Sequence, residues 1–275
     1  MCDYCKVSRS GYYKWIKHQK DFHYEDLALS GLIRFRQEES VYTLSAKAMS
    51  KTISLDDGQK VNHKRCLRIM REHDLLSVVK RHNRTKKKNK QNEGEEKRNI
   101  IRGNHRCSVP FDKLYTDITE FRIGTKRVYL SSIKDMYTKM IEAYSIDYHP
   151  TTELVKDTIY QVIEKAIEYG TFIHSDQGTP YFNREIQDRL AESNFIQSMS
   201  RRGKPTDNSP IESFHSILKS ELVYNHHIRI HDDKQLIEEI HRFIIRYNNK
   251  RRQKGLNWMT PAAFKEKEMN KLSSL

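Results

Sequence analysis

Cysteine is scarce in this chain. Cys2, Cys5, Cys66 and Cys107 are four in 275 residues, too few for the dense framework that staples a small secreted domain. Cys2 and Cys5 have the spacing of half a zinc knuckle, but no second pair of ligands follows at a useful distance. Reduced structural thiols are the expectation, with Cys66 acting as a small apolar residue in a helical pattern. Long apolar runs are missing too. No window approaches 18 consecutive apolar residues, and the N-terminus has no hydrophobic leader segment. There is also no lipidation signal, which argues against a membrane partner. A soluble, cytoplasmic protein is expected.

The apolar fraction, 36%, is low, yet 15 Tyr and 10 Phe can fill a core. Acidic residues are outnumbered, and unevenly so. Residues 1–110 hold 25 Lys and Arg against 13 Asp and Glu, whereas residues 111–275 hold 25 against 23. The excess positive charge therefore sits in the first part, as in a basic nucleic-acid-binding region joined to a nearly neutral, well-packed domain. No internal repeat is evident.

Residues 8–20 read as a capped turn leading into a short basic and aromatic helix. Residues 24–37 form a second candidate helix, with Leu27, Leu29, Leu32, Ile33 and Phe35 on its apolar side. Ser45 to Ile53 is a weaker candidate. Asn62 to His73 is stronger, since Asn62 can cap it while Cys66, Leu67, Ile69 and Met70 fill one side. His63, Lys64, Arg65 and Arg68 crowd the rest, which suits a helix-turn-helix reading of DNA and equally a small bundle with a charged, solvated surface. From Lys80 to Arg98, nine of nineteen residues are Lys or Arg. This is a linker by composition, and Lys86, Lys87 and Lys88 are candidates for sequence-independent phosphate contacts.

From Phe111 the period changes to two. Asp112 to Phe121 alternates, Leu114, Thr116 and Ile118 on one face and Tyr115, Asp117, Thr119 and Phe121 on the other. Val128 to Ile133 and Met140 to Ile146 are further strands, with Asp135 to Thr138 as the turn between them. Thr151 or Thr152 caps a helix reaching Tyr169, which Gly170 ends. Phe172 to Asp176 and Phe195 to Ser200 are short strands flanking a helix from Asn183 to Ala191. Pro210 suits the first turn of a helix whose Ile211, Phe214, Leu218 and Leu222 make one buried stripe. Glu212 and Lys219 share another face. A long amphipathic helix from Lys234 to Asn249 and a last one opened by Thr260 and Pro261 follow. Three strands, then alternating helix and strand, describe a mixed α/β sheet with helices on both faces. The boundaries expected are 1–79 for the helical, DNA-binding region, 80–106 for the linker, 107–231 for the core and 232–275 for a C-terminal helical extension.

Three carboxylates stand out. Asp117 sits within a strand, where Asp is depleted. Asp176 closes a short strand at the carboxyl edge of the sheet, where open α/β sheets place their sites. Glu212 opens a helix. Converging, they form an oxygen-rich site for hard divalent ions, two of which would serve phosphodiester displacement. Taken singly, a lysine-paired Asp117, a turn Asp176 and a dipole-complementing Glu212 would be unremarkable. Asp135 and Asp207 look similar but suit a turn and a helix cap. Arg201, Arg202 and Lys204 flank a glycine loop and are candidate DNA contacts, as is Lys219. Trp15 and Trp258 read as packing anchors.

Spacing and context sharpen the choice. Thirty-five residues separate Asp176 from Glu212, and Lys219 follows seven later. This resembles the catalytic signature of retroviral integrases and related bacterial transposases. The words Tyr115-Thr116-Asp117-Ile118-Thr119, His174-Ser175-Asp176-Gln177-Gly178 and Gly203-Lys204-Pro205-Thr206-Asp207-Asn208 up to Glu212-Ser213-Phe214 are similar to those of OrfB transposases of the insertion-sequence-three family. Ser8 to Tyr13, Val61 to Arg65, Tyr247-Asn248 with Arg251, and Met259 to Ala262 extend the likeness over nearly the whole chain.

The resemblance implies an RNase H-like core preceded by a small all-α, helix-turn-helix-like region. It further implies a catalytic and metal-binding triad of Asp117, Asp176 and Glu212 with two Mg²⁺ or Mn²⁺ ions. The implied function is cleavage and strand transfer of insertion-sequence ends into target DNA, as a homo-oligomer on DNA with an OrfA-type partner. One segment departs: Val41 to Lys47 lacks the Tyr-Gly pair and following basic pair usual in the family. That departure motivates an alternative, a catalytically idle DNA-binding protein derived from a decayed transposase and acting as a repressor. An RNase H-type ribonuclease is a third reading that the fold alone would allow.

Overall fold

The computed structural model describes residues 7–79, 99–165, 170–201, 205–223, 225 and 227–274, and the chain divides into two compact units, Met1–Lys80 and Arg81–Leu275. Cys2, Cys5 and the 80–98 stretch of the basic linker lie outside the described residues.

The first unit is helical. α1 (Arg9–Glu39), α2 (Ala46–Asp56) and α3 (His63–Glu72) each start at a side-chain cap. Ser8 Oγ accepts the Gly11 N–H, Ser45 Oγ the Ala48 N–H and Asn62 Oδ1 the Lys64 N–H, each satisfying a donor that has no intrahelical partner. Their core joins Leu29 and Ile33 of α1, Met49 and Ile53 of α2, and Cys66, Ile69 and Met70 of α3. The two helices expected over 8–20 and 24–37 are one. No glycine or proline falls between Tyr12 and Ser30, so nothing breaks the helix there. Residues 9–15 of it are exposed, and Trp15 stacks on Tyr12 in solvent instead of anchoring a core.

The turn from α1 to α2 is fastened by Gln37, which is fully buried. Its Nε2 donates to Leu44 O and Leu75 O, and its Oε1 accepts the Leu44 N–H. Val41 and Tyr42 pass through this turn at φ +53° and +58°. Left-handed backbone of this kind favours glycine, and a β-branched residue in it is strained.

The second unit holds a five-stranded sheet: β1 (Lys113–Ile123), β2 (Lys126–Asp135), β3 (Ile141–Asp147), β4 (Thr171–Ser175) and β5 (Phe195–Met199). Its order is β3-β2-β1-β4-β5. β1, β2 and β3 form an antiparallel meander, while β4 runs parallel to β1 and β5 parallel to β4. Parallel neighbours need crossovers, and α4 (Thr152–Ile163) and α5 (Arg184–Glu192) supply them. Thr151 caps α4, which ends at Ile163 with Glu164 as its C-cap, so the expected extension to Tyr169 is not seen up to residue 165.

The alternation of β1 sorts two cores. Leu114 packs with Ile133, Ile173 and the inner faces of α4 and α5, at Val155, Ile159, Val162, Ile186 and Leu190. Tyr115 and Phe121 face the other way, onto α6 (Ser209–Leu222) and α7 (Asp233–Asn249). Ile211, Phe214, Leu218 and Leu222 form the buried stripe of α6 that their spacing indicates. This is the RNase H-like arrangement, a mixed five-stranded sheet with helices on both faces.

Three expectations need correction. Leu236, Ile240, Phe243, Ile244 and Tyr247 of α7 complete the same core as Tyr115 and Phe214, so a boundary at 232 would cut through a packed interior. Asn248 also donates to Ile141 O and accepts the Ile141 N–H, tying α7 to β3, before α8 (Pro261–Leu272) ends the chain. At the other end, residues 99–101 belong to the core rather than to a linker. Ser198 Oγ accepts the Ile100 and Ile101 N–H groups, and Ile101 is buried beside α6 and α7. Finally, Asp207 is no helix cap. It accepts a bidentate pair from the Arg201 guanidinium at 2.9 Å each and one bond from the Asn99 amide at 2.7 Å, while Asn208 precedes α6 with no side-chain capping bond.

Candidate active site

The site begins with strand register. Tyr115 of β1 lies opposite His174 of β4, the last registered pair before the carboxyl end of β4. Asp117 and Asp176 each stand two residues further on, so they adjoin across a seam between neighbouring parallel strands, which run about 4.8 Å apart. Burial, and then the negative charge of Asp117, push the Asp176 carboxyl above its ordinary 3.8.

Each aspartate is held by a backbone donor. Asp117 Oδ1 accepts the Ile118 N–H and Asp176 Oδ1 the Gly178 N–H, both at 2.9 Å. The second bond explains the glycine of the Asp-Gln-Gly turn: a Cβ at residue 178 would stand 2.9 Å from Asp176 Oδ1. Beneath the pair, the fully buried Tyr181 meets Thr116 Oγ1 through its hydroxyl at 3.3 Å. Burial and both carboxylates drive that phenol well above its ordinary range.

α6 crosses over β1 and is fastened at its start. Asn208 Nδ2 donates to Thr116 O at 3.2 Å, beside Asp117, and Lys134 Nζ of β2 donates to Pro210 O at 3.2 Å. One turn on, His215 Nδ1 faces Asp117 Oδ2 at 3.6 Å. A further turn on, Lys219 lies against the Phe121 ring, 5.6 Å from its centroid, and burial lowers its pKa while Glu120 and Asp117 oppose that shift. Glu212 is half-buried, four residues after Asn208 and three before His215, a spacing that puts it on the face α6 turns toward β1.

The donors suit a hard divalent cation: all three are carboxylates, and a cation would relieve the repulsion between the aspartates. Among the described residues, no three His, Cys, Asp or Glu side chains are closed into a metal-holding group. The two aspartates are thus brought together, and Glu212 is carried on the adjoining helix without being drawn into a ligand cluster with them.

The other candidates fall into place differently. Arg201 is committed to the buried Asp207. Arg202, Lys204, Lys86, Lys87 and Lys88 lie outside the described residues. In the helical unit, His63 and Lys64 are exposed on the first turn of α3, whereas Arg65 and Arg68 both bond to Asp26 of α1. His174 is a packed strand residue: its Nδ1 bonds Ser198 Oγ at 2.9 Å, its ring lies on Tyr115, and burial lowers its pKa to about 4. Asp135 is buried at the β2–β3 turn, where it accepts the Tyr137 and Thr138 N–H groups.

His215, Ser132, Lys134 and Tyr181 escape a sequence reading. His215 alone left a signal, lying one turn beyond Glu212 and outside the apolar stripe of α6.

Two family models describe this part of the chain, both of the integrase core domain, one over residues 108–205 and one over 194–261. An uncharacterized transposase-like protein of Haemophilus influenzae is 33% identical over 220 residues, covering 80% of this chain and 100% of that protein. Transposase InsF for insertion sequence IS3A of Escherichia coli is 24% identical over 98% of this chain and 94% of its own. The chain belongs to the IS3 family of DDE transposases. Among solved structures, the magnesium-bound catalytic core domain of HTLV-2 integrase aligns with a TM-score of 0.46 at 15% identity, over 58% of this chain and 99% of that one. Among its described residues the transposase has no helix long and apolar enough to cross a membrane.

Proposed function

We propose that this transposase cleaves the ends of its insertion sequence and joins them to target DNA with Asp117, Asp176 and Glu212 as its catalytic, cation-binding triad. The observation that carries the reading is the approach of Asp117, within β1, to Asp176, just past the end of the adjoining parallel β4, where the Asp117 charge raises the Asp176 pKa, under a helix that brings Glu212. Integrase-core proteins are metal-dependent. Two Mg²⁺ or Mn²⁺ ions held by the triad would supply charge neutralisation at the phosphate and activation of the attacking oxygen.

The chain's own groups do the rest. Backbone N–H groups of Ile118 and Gly178 fix the two aspartates, and the bonds from Asn208 and Lys134 fix the angle at which α6 presents Glu212. Lys219, on the same helix, offers a cation to the DNA backbone. In the first step water attacks the phosphodiester at the element end, the P–O3′ bond breaks and a 3′-hydroxyl is freed. In the second, that hydroxyl attacks a target phosphodiester and releases another 3′-hydroxyl. Both are in-line displacements, so one site serves both.

The helical unit, with His63 and Lys64 exposed, is assigned to holding DNA, together with Lys86–Lys88, Arg202 and Lys204. An OrfA-type partner and self-association on DNA complete the assembly, in the cytoplasm. The idle-repressor alternative is not favoured, because the departure that motivates it lies at Val41–Lys47, in the other unit from the triad.

The test is strand transfer with labelled element-end DNA, Mg²⁺ or Mn²⁺ and the OrfA partner. Wild type should give joined products that Glu212→Gln does not. Indistinguishable products from the two would overturn the assignment.

A further inference from the structure

We propose that His215 is a positioning residue for Asp117, favouring one rotation of its carboxylate by a polar contact braced from behind by Ser132. The inference rests on the reading of Asp117 as a cation ligand.

Register supplies the first observation. Asp117 of β1 and Ser132 of β2 are directly opposed in the antiparallel ladder, so their side chains leave the sheet on the same face. That face is the one α6 covers, and His215 comes down between them, only 5% exposed. Its Nε2 is 2.8 Å from Ser132 Oγ and its Nδ1 is 3.6 Å from Asp117 Oδ2. Phe214 and the ties of Asn208 to Thr116 and of Lys134 to Pro210 hold the helix, and with it the ring, in register with both strands.

The chemistry of the partners decides the direction of each bond. An ionised carboxylate only accepts, so the nitrogen facing Asp117 carries the proton. Nε2 is then the acceptor, and the Ser132 hydroxyl donates to it. The acceptor-only carboxylate thereby sets the tautomer whose N–H faces Asp117, and the Ser132 hydroxyl braces it by donating to Nε2. Lys134 and Lys219, which also act on the ring, are cations that have no lone pair to offer Nδ1. An N–H facing Oδ2 at 3.6 Å, with the Ile118 N–H bonded to Oδ1 at 2.9 Å, biases the carboxylate from both oxygens while leaving lone pairs for a cation. His215 acts through Asp117, with no contact to the reacting atoms required.

The experiment is Mn²⁺ binding to the metal-free full chain, followed by electron paramagnetic resonance, beside a thermal melt of each variant without metal. His215→Asn places an amide near the position of Nδ1 and keeps the contact with Asp117. His215→Gln reaches toward Ser132 instead and abandons Asp117. His215→Gln should weaken Mn²⁺ binding about 10- to 100-fold, the usual effect of losing a group that orients a ligand. His215→Asn should stay near wild type, and Ser132→Ala should fall between them while melting like the parent. Asp117→Asn should bind more weakly than any of these.

Equal losses in His215→Asn and His215→Gln would make the ring mere packing and overturn the proposal. So would an unchanged affinity in His215→Gln or Ser132→Ala. If those variants behave like wild type while Asp117→Asn still weakens binding, the inference fails and the assignment of Asp117 stands. If Asp117→Asn binds Mn²⁺ as wild type does, both fail.

Discussion

Two tight turns, one in each unit, meet the same steric demand in opposite ways. At Gln177-Gly178 the chain turns back so closely that a Cβ would press on Asp176 Oδ1, and a glycine stands there. Between α1 and α2 the chain adopts left-handed backbone at two consecutive residues, and Val41 and Tyr42 stand there. The difference is what each turn holds. The first positions a carboxylate, for which a shift of a few tenths of an ångström matters. The second only joins two helices, and the buried amide of Gln37 restrains it from three directions. Strain can be absorbed in a scaffold, whereas a site has no slack to absorb it.

If that contrast holds, the largest effects should come from the triad. Asp117→Asn, Asp176→Asn and Glu212→Gln should each lower strand transfer by about 10³-fold or more, as removal of catalytic groups does. Removing the side chains of His63 and Lys64 should weaken DNA binding, and loss of the Lys64 ammonium its salt dependence, with little effect on the rate at saturating DNA. Paired rate and binding measurements would break the division if His63→Ala or Lys64→Ala abolished turnover at saturation.

Next in size is Gly178→Ala. Its backbone φ is unexceptional, so the added methyl acts by contact alone, against Asp176 Oδ1 at 2.9 Å and Tyr181 at 3.5 Å. We expect a loss of activity of about 10- to 100-fold with a melting temperature within a few degrees of wild type. Activity near wild type would show that the turn has the same slack as its counterpart in the helical unit.

Asp176 makes a prediction of opposite sign for stability. Its pKa is raised in the folded protein, so the folded state prefers it protonated. The associated stability is fully present below the unfolded value of 3.8 and is lost as pH rises through the folded value. At neutral pH and without metal, the ionised carboxylate therefore costs stability, and Asp176→Asn should raise the melting temperature. The gain should vanish as pH falls below 3.8. Mg²⁺ should stabilise wild type and leave Asp176→Asn almost unmoved. A lower melting temperature for the metal-free variant at neutral pH would refute the repulsion.

Much of this was legible in the residues. The alternation of β1 gave both core faces, and the stripe Ile211, Phe214, Leu218 and Leu222 gave the docking side of α6. Asn62 gave the start of α3 to the residue. What stayed hidden depends on contacts far apart in the chain. Ser132 looked like any strand serine until register set it opposite Asp117, 15 positions away. Asp207 read as a cap because caps are local, while its partner Asn99 is 108 residues distant. α7 looked like part of an extension because a stripe of Leu236, Ile240 and Phe243 does not say which core it joins. Local pattern specifies elements, and only the packed sheet specifies who faces whom.

The smallest effect lies in the helical unit itself. Val41 is β-branched at φ +53°, a conformation that costs an L-residue about 1–2 kcal/mol. Glycine would remove that strain but loses roughly 0.4–1 kcal/mol through the greater freedom of the unfolded chain. Val41→Gly should therefore stabilise the helical unit by about 0.5–1 kcal/mol. Tyr42 is left in place because its side chain packs against the core of Leu29, Ile33 and Ile69. The gain should be read by hydrogen exchange at the amides of α1–α3, which should slow, while those of β1 and β4 and the rate of strand transfer stay unchanged. Faster exchange in α1–α3 would mean that the valine side chain contributes more by contact than its backbone costs, and the turn would then be as closely fitted as the one at Gly178.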